Sequence, residues 1–275
     1  MAADLLAGRV ALITGAGQGL GRAIAREYSD EGATVALLDL NPTTLEETRR
    51  LIEESGGTAH EYALDITDHE AYREAVSDVV EQAGSLDVLV NNAAIARYGT
   101  ILDDSLEDWR AQIAVNLEAV YMGSKLVAPH MVERGSGSIV NISSGAAIGP
   151  GRGPYEDQTA RGGTMYGASK AALERMTQGL AQEVSAHNIT VAALSPSQVV
   201  PTPGTVFHKL VDGLEDPKGE PPEYMARATL LLATEGAEKV TGRVTYSQAI
   251  LQEFGWIEDG KGTGIDRPGS GYSQA

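Results

Sequence analysis

The chain has 275 residues, enough for one large α/β domain or two small ones. Its formal net charge of −17 repels phosphate backbones, which argues against a nucleic-acid partner. The absence of cysteine excludes disulfides and thiolate metal sites, and it fits a reducing, cytoplasmic setting. No apolar run approaches membrane length and no basic-then-apolar leader precedes the first strand-like segment, so no membrane partner is expected. The five histidines are scattered, and His69-Glu70 lacks the second histidine a zinc helix needs, so no metal site is expected.

Val10-Ala11-Leu12-Ile13 is an apolar run of buried-strand type. It ends in Thr14-Gly15-Ala16-Gly17-Gln18-Gly19-Leu20-Gly21, and a helical pattern follows through Ile24 and Tyr28. Strand, glycine-rich turn and helix N-terminus together make a pyrophosphate site, because amides point at the phosphates and missing Cβ atoms permit close approach. A second strand over residues 34–38 ends at Asp39, about twenty residues past the glycines. A carboxylate there suits adenosine ribose hydroxyls and repels a 2′-phosphate. No Arg or Lys follows at position 40 or 41 and Gln18 is neutral, so NAD is favoured over NADP.

A helix from Pro42 to about Ser55 is stopped by Gly56-Gly57. A strand through Tyr62-Ala63-Leu64 leads to Asp65-Ile66, and a helix over about 68–83 precedes the strand Val88-Leu89-Val90. This alternation predicts a parallel sheet with right-handed crossovers. Asn91-Asn92-Ala93-Ala94 places small residues where a cofactor would lie against the strand tips. A long helical stretch over 106–134 carries Asn116 among apolar neighbours, where it needs a carbonyl or a water as partner. The strand 138–142 then delivers Ser143-Ser144 to the same edge as the glycines.

Tyr166-Gly167-Ala168-Ser169-Lys170 follows. On a helix, Tyr166 and Lys170 share a face one turn apart. An ammonium beside a phenol favours the phenolate, so the Tyr166 pKa is expected to fall. Such a tyrosine passes a proton to or from a substrate oxygen that Ser144 holds by hydrogen bond.

These residues in this order resemble the classical short-chain dehydrogenase/reductase family, from Arg9 through about Tyr246. The resemblance rests on Thr14-Gly-x-x-x-Gly-x-Gly21, Asn91-Asn92-Ala93, Asn116, Ile142-Ser143-Ser144 and Tyr166-x-x-x-Lys170. It implies a single Rossmann-type domain, a doubly wound parallel sheet of about seven strands, usually assembled as a homotetramer or homodimer. It further implies oxidation of secondary alcohols or reduction of ketones by hydride exchange with a nicotinamide. Carried over residue by residue, Ser144 steadies the substrate oxygen and Tyr166 is general acid and base. Lys170 holds the nicotinamide ribose and lowers the Tyr166 pKa, and Asn116 fixes a water that links Lys170 to solvent. Gly15, Gln18, Gly19, Leu20 and Gly21 receive the pyrophosphate, Asp39 with Asp65 and Ile66 meets the adenosine, and Asn92 with Ala93 lines the way to the nicotinamide ribose.

The chain departs from the family pattern in three places. Ser144 and Tyr166 are about nine positions farther apart than usual, and the extra polar, glycine-rich segment near 150–163 is read as a loop shaping the substrate pocket. Tyr155 within it lacks a lysine four residues on, so Tyr166 is preferred as the acid/base. After the sixth strand, Pro196-Ser197-Gln198-Val199-Val200-Pro201-Thr202 has Ser197 where the family has Gly, with the Thr displaced by one position. Val199 and Thr202 are candidate nicotinamide contacts. The usual Asp-Gly-Gly after the last strand is missing, and a glycine-rich tail over 255–275 is expected to be mobile or ordered on a neighbouring subunit. Residues 203–222, which mix Val206, Phe207, Leu210 and Val211 with charged positions, read as a substrate lid. The leading reading is an NAD-dependent enzyme acting on a small-molecule alcohol or ketone, with oxidation the favoured direction. An NAD-using epimerase or dehydratase and a non-catalytic NAD-binding protein are the alternatives. The first commonly needs a larger C-terminal domain, and the second has no chemical need for Ser144, Tyr166, Lys170 and Asn116 together.

Overall fold

Seven strands lie in one parallel sheet in the computed structural model, which describes residues 4–149 and 163–274. In chain order the first elements are β1 (Val10–Thr14), α1 (Gly19–Asp30), β2 (Thr34–Asp39), α2 (Pro42–Glu54), β3 (Thr58–Ala63), α3 (His69–Ala83) and β4 (Val88–Asn91). Then come α4 (Leu106–Ile113), a π-helical turn (Ala114–Glu118), α5 (Ala119–Arg134), β5 (Gly137–Ile142), α6 (Thr164–Glu183) and β6 (Ile189–Ser195). The chain closes with α7 (Pro203–Phe207), α8 (Pro222–Thr234), α9 (Ala237–Val240), β7 (Val244–Tyr246) and α10 (Ser247–Glu253). The sheet order is β3-β2-β1-β4-β5-β6-β7. Successive strands are added outward from β1 to one side and from β4 to the other, and the crevice at the carboxyl ends of these two parallel strands is where an open α/β sheet takes its ligand.

Strand residues alternate between the two sheet faces, and each face has its own core. Ala11, Ile13, Val35, Leu37, Val88, Val90, Val140 and Leu194 pack with α1, α2, α8 and α10 through Ile24, Tyr28, Leu45, Ile52, Leu231 and Leu251. Val10, Leu12, Ala36, Leu38, Leu89, Ile139 and Val191 pack with α3, α5 and the end of α6 through Tyr72, Val79, Val127, Met131 and Ala181. Burial on both faces explains why the central strands read as unbroken apolar runs.

Local chemistry sets the element ends. Asn41 caps α2, its side chain accepting from the Thr43 and Thr44 amides with Pro42 in the first turn, and Asp68 does the same for α3 from Glu70 and Ala71. The long helical stretch is confirmed over 106–134, but it is not uniform. A π turn over Ala114–Glu118 interrupts it, and such bulges concentrate at functional sites. The tail is ordered against its own chain. Thr263 N donates to Ser197 O (2.9 Å), Lys261 N to Gln248 Oε1 (3.1 Å) and Ser270 N to the Tyr246 hydroxyl (2.8 Å). Pro150-Gly151 through Gln158, Tyr155 included, lie outside the described residues. No helix among the described residues is long and apolar enough to cross a membrane.

Candidate active site

The glycine loop between β1 and α1 is held by the strand tips around it. The Thr14 hydroxyl accepts from the Asn92 and Ala93 amides (3.0 and 3.1 Å), and Asn92 Nδ2 donates back to the carbonyls of Thr14 and Gly15 (2.9 and 3.2 Å). A Cβ on Gly15 would stand 2.9 Å from Ala93 Cα, and one on Gly21 would stand 2.0 Å from Gly15 O. Both glycines are therefore dictated by packing inside the loop. Gly19 opens α1 at φ +54°, a conformation open to glycine at no steric cost, and Thr202 lies against it, 3.3 Å from where a Cβ would be. Gln18 precedes α1 in extended conformation, no side chain caps that helix, and no acid sits in its first turn. Those amides and the positive end of the helix dipole suit an anion. Leu20 packs on the adjoining core.

Asp39 stands at the tip of β2, its carboxylate accepting from the Gly17 amide (2.9 Å) and the Asn41 amide (3.0 Å). Arg22, the cation anchored on the same loop, is committed elsewhere, to Gly17 O (2.6 Å), Glu47 (2.7 Å) and Thr48 (3.0 Å). Asp65 follows β3 in a local turn, accepting from the amide and hydroxyl of Thr67 (2.9 and 2.7 Å), while the Ile66 side chain turns into the core beside Tyr72. Loop, Asp39 and helix N-terminus together fit a dinucleotide.

Three of the four predicted catalytic positions, Ser144, Tyr166 and Lys170, meet at the carboxyl end of β5, and Asn116 reaches the same helix α6 from the π turn. Tyr166 and Ser144 face one another, close enough for the Ser144 hydroxyl to favour the Tyr166 phenolate. Ser144 Oγ also accepts from the Ala146 amide (3.1 Å), which fixes its rotamer. Lys170 is buried one turn along α6; its Nζ donates to Ile142 O (2.7 Å) and lies 5.8 Å from the Tyr166 ring centre. Asn116, in the π turn, clamps the loop after β4: Oδ1 accepts from Ile95 N and Nδ2 donates to Ile95 O, both at 2.9 Å, with a further bond to Ser169 Oγ (3.2 Å). Its partner is thus a peptide group beside the catalytic helix. Val199 is 41% exposed, and its carbonyl accepts from Glu220 N (3.0 Å). Thr202 instead caps α7 in a reciprocal pair with Thr205.

The expected fall of the Tyr166 pKa is not found. Burial of its hydroxyl end pushes the phenol up to about 12, the neighbouring Tyr98 adds to this, and the Ser144 hydrogen bond draws it only partly back. The ammonium that was to lower it is itself disfavoured, since burial pushes Lys170 down to about 8 while Glu174 partly restores it. Tyr98 walls the site, its ring 5.9 Å from that of Tyr166 and edge-on to His208 at 4.8 Å; Phe207 in turn meets His208 edge-on at 5.0 Å.

Two buried carboxylates escaped the sequence reading. Glu174 accepts from Ser143 Oγ (2.8 Å) and Ser270 Oγ (2.7 Å). Glu220 accepts from Ser247 Oγ (2.6 Å), Gln248 Nε2 (2.8 Å) and the Gln198 amide (3.2 Å). Glu174 follows Lys170 by one turn, a spacing visible in the sequence; Glu220 gives no such signal. Among the described residues no cluster of three or more His, Cys, Asp or Glu could hold a metal.

Comparison with known proteins bears on all of this. The family model for short chain dehydrogenases matches residues 9–208. The chain is 37% identical over 249 residues to the 3-oxoacyl-[acyl-carrier-protein] reductase of Thermotoga maritima, covering 87% of this chain and 96% of that protein. It is 34% identical to the 2,5-dichloro-2,5-cyclohexadiene-1,4-diol dehydrogenase of Sphingobium indicum, covering 87% and 94%. Among solved structures, a candidate NAD(P)-dependent gluconate 5-dehydrogenase from Beutenbergia cavernae, with NADP bound at low occupancy, superposes with a TM-score of 0.77 at 32% identity, covering 88% and 96%.

Proposed function

The chain belongs to the classical short-chain dehydrogenase/reductase family of oxidoreductases, and from that premise we propose that it interconverts a secondary alcohol and a ketone with NAD as hydride carrier. The observation that carries this reading is Ser144 facing Tyr166, with Lys170 buried one turn along α6, its Nζ on Ile142 O and 5.8 Å from the Tyr166 ring centre. Bound nicotinamide supplies or accepts the hydride. Tyr166 gives its proton to the oxygen of a ketone or takes one from an alcohol, Ser144 holds that oxygen, and Lys170 supports the ribose end of the cofactor. Asn116 holds the loop after β4 against α6, and a water beside it would complete a proton path from Lys170.

Asp39 supports NAD, because its carboxylate, fixed by two amides, would face a 2′-phosphate with like charge while Arg22 is already paired. The Beutenbergia cavernae protein carries NADP, and the NAD preference proposed for this chain rests on Asp39. Tyr98 beside the acid/base, with His208 against Tyr98 and Phe207 against His208, and with Ile101, Leu102 and Leu210 exposed, favours a substrate with an apolar part. A homo-oligomer has a candidate surface in the apolar groove of Ile113, Leu117, Tyr121, Ala172 and Met176.

The test is NADH formation at mildly alkaline pH across a panel of secondary alcohols, in wild type and Tyr166→Phe, each hit repeated with NADP. Turnover with NAD that falls about 100- to 10,000-fold in the variant supports the reading. Activity that survives the substitution would assign the acid/base elsewhere, with Tyr155 tested next. Tight NAD binding without any turnover would favour the epimerase or the non-catalytic alternative.

A further inference from the structure

The two C-terminal departures from the family pattern meet in space. Ser197, standing where glycine is usual, is buried. Its amide donates to Ser247 Oγ (3.0 Å), its hydroxyl accepts from Gln248 N (3.1 Å), and its carbonyl accepts from Thr263 N of the tail (2.9 Å). The tail passes so close here that a Cβ on Gly262 would lie 2.4 Å from Ser197 O. Farther along, Ser270 is anchored through its amide to the Tyr246 hydroxyl and puts its own hydroxyl on Glu174.

Glu174 is 1% exposed. Its other oxygen holds the hydroxyl of Ser143, the residue before Ser144, and Lys170 holds the carbonyl of Ile142, the residue before that. Helix α6 is thus stitched to the end of β5 at two successive residues by two side chains one turn apart. Tyr166, on the same helix, must reach Ser144 at that strand end. We propose that Ser270 of the tail is a positioning residue of the catalytic site, clamping Glu174 so that α6 holds Tyr166 and Lys170 in register with Ser144.

This rests on the proposed hydride-transfer reading. Glu174 needs both donors, because a buried carboxylate oxygen left without one is strongly penalised. Loss of Ser270 Oγ therefore favours any shift of α6 that finds Glu174 another donor or water. A shift near an ångström at reacting groups costs about 100-fold in rate. The titratable groups around Glu174 are Lys170 on its own helix and Tyr246 on β7. Its carboxylate favours the charged form of Lys170, so its loss lets the Lys170 proton leave at lower pH.

The experiment compares Ser270→Ala, Ser270→Thr, Glu174→Gln and, as a tail control, Arg267→Ala, whose side chain is exposed. Expected are a kcat about 10- to 100-fold lower in Ser270→Ala with KM for the dinucleotide unchanged, recovery in Ser270→Thr, and wild-type behaviour in Arg267→Ala. In Glu174→Gln the fall of the reduction rate at high pH, where Lys170 gives up its proton, moves to lower pH. A folded Ser270→Ala with wild-type kcat, or an unmoved profile in Glu174→Gln, overturns the proposal. So does Arg267→Ala losing kcat as Ser270→Ala does. Should Ser270→Ala not fold, Ser270→Thr and Glu174→Gln decide. Should wild type turn over no alcohol at all, the hydride-transfer reading fails separately, and amide exchange becomes the measure. Ser143 N, bonded to Leu194 O, and Ala146 N, bonded to Ser144 Oγ, should then exchange faster in Ser270→Ala, and unchanged protection there overturns the clamp.

Discussion

The loops on the two sides of the sheet are held by different physics. Around β1, β2 and β4, the glycine loop is fixed by sterics and by short-range hydrogen bonds from Thr14 and Asn92, with Asp39 and Arg22 holding Gly17. Around β5, β6 and β7, the loops hang on buried carboxylates reached from far along the chain, Glu174 by Ser270 and Glu220 by Ser247 and Gln248. The first arrangement tolerates little volume. The second tolerates volume but depends on every donor being present, since a buried charge is only as stable as its complete set of partners.

The sharpest way to break the first side is Gly21→Ala. The added carbon meets Gly15 O at 2.0 Å and the Asn92 amide group at 2.7 Å, neither of which moves without opening the loop. Dinucleotide binding should be lost to titration calorimetry, with a stability loss of about 1–3 kcal/mol or more. Retained micromolar binding would mean that the loop is softer than its packing indicates.

The next effect separates the two directions of the reaction. Burial keeps Tyr166 protonated well above neutrality. Ketone reduction consumes that acid form and alcohol oxidation consumes the base form. The oxidation rate should therefore climb between about pH 7 and pH 10, by at most about tenfold per unit, while reduction stays flat or falls. An oxidation rate already level at pH 7 in steady-state profiles would contradict the direction of the Tyr166 shift.

Smaller again is Asp39→Ala. It removes the carboxylate at the ribose end and leaves Arg22 paired with Glu47. The ratio of kcat/KM for NAD over NADP should fall about tenfold or more, mostly through KM, because the like-charge penalty against the 2′-phosphate is gone. A ratio that does not change would put cofactor choice elsewhere.

How much of this was legible in the sequence follows the same division. The sheet, the glycine loop, Asp39, Ser144, Tyr166 and Lys170 could all be read, because each lies in a local pattern: a strand followed by glycines, a strand tip, or a one-turn spacing. The Asn116 position was readable too, but not its use as a peptide clamp on Ile95, which needs the π turn. The sign of the Tyr166 shift was misjudged because the i,i+4 spacing gives the neighbouring charge and says nothing of desolvation, which here dominates both partners. The tail was read as mobile or bound to a neighbour because its composition is glycine-rich. Its order comes from docking on Ser197, Tyr246 and Glu174, contacts that no local pattern records.

The mildest test lies in Glu220, which ties the loop after β6 to α10 and is not part of the glycine loop. Glu220→Gln keeps the volume but sets an amide N–H against a site built from three donors: Ser247 Oγ, Gln248 Nε2 and Gln198 N. A loss of about 1–3 kcal/mol is expected, a few degrees in Tm, with dinucleotide affinity unchanged. The pH dependence fixes the cause. Burial raises the Glu220 pKa above the ordinary carboxyl range despite its hydrogen bonds. The folded wild type therefore holds this proton more tightly than the unfolded chain does. Stability from the neutral acid is fully present below the unfolded value near 4.5 and is lost as pH rises through the folded one. Glutamine does not titrate, so the stability gap between wild type and variant should be wider near pH 4 than near pH 7 in paired denaturant titrations. A gap that widens with pH instead would show that Glu220 works as a charged acceptor whose bonds outweigh its burial, and the contrast between the two sides of the sheet would have to be redrawn on that basis.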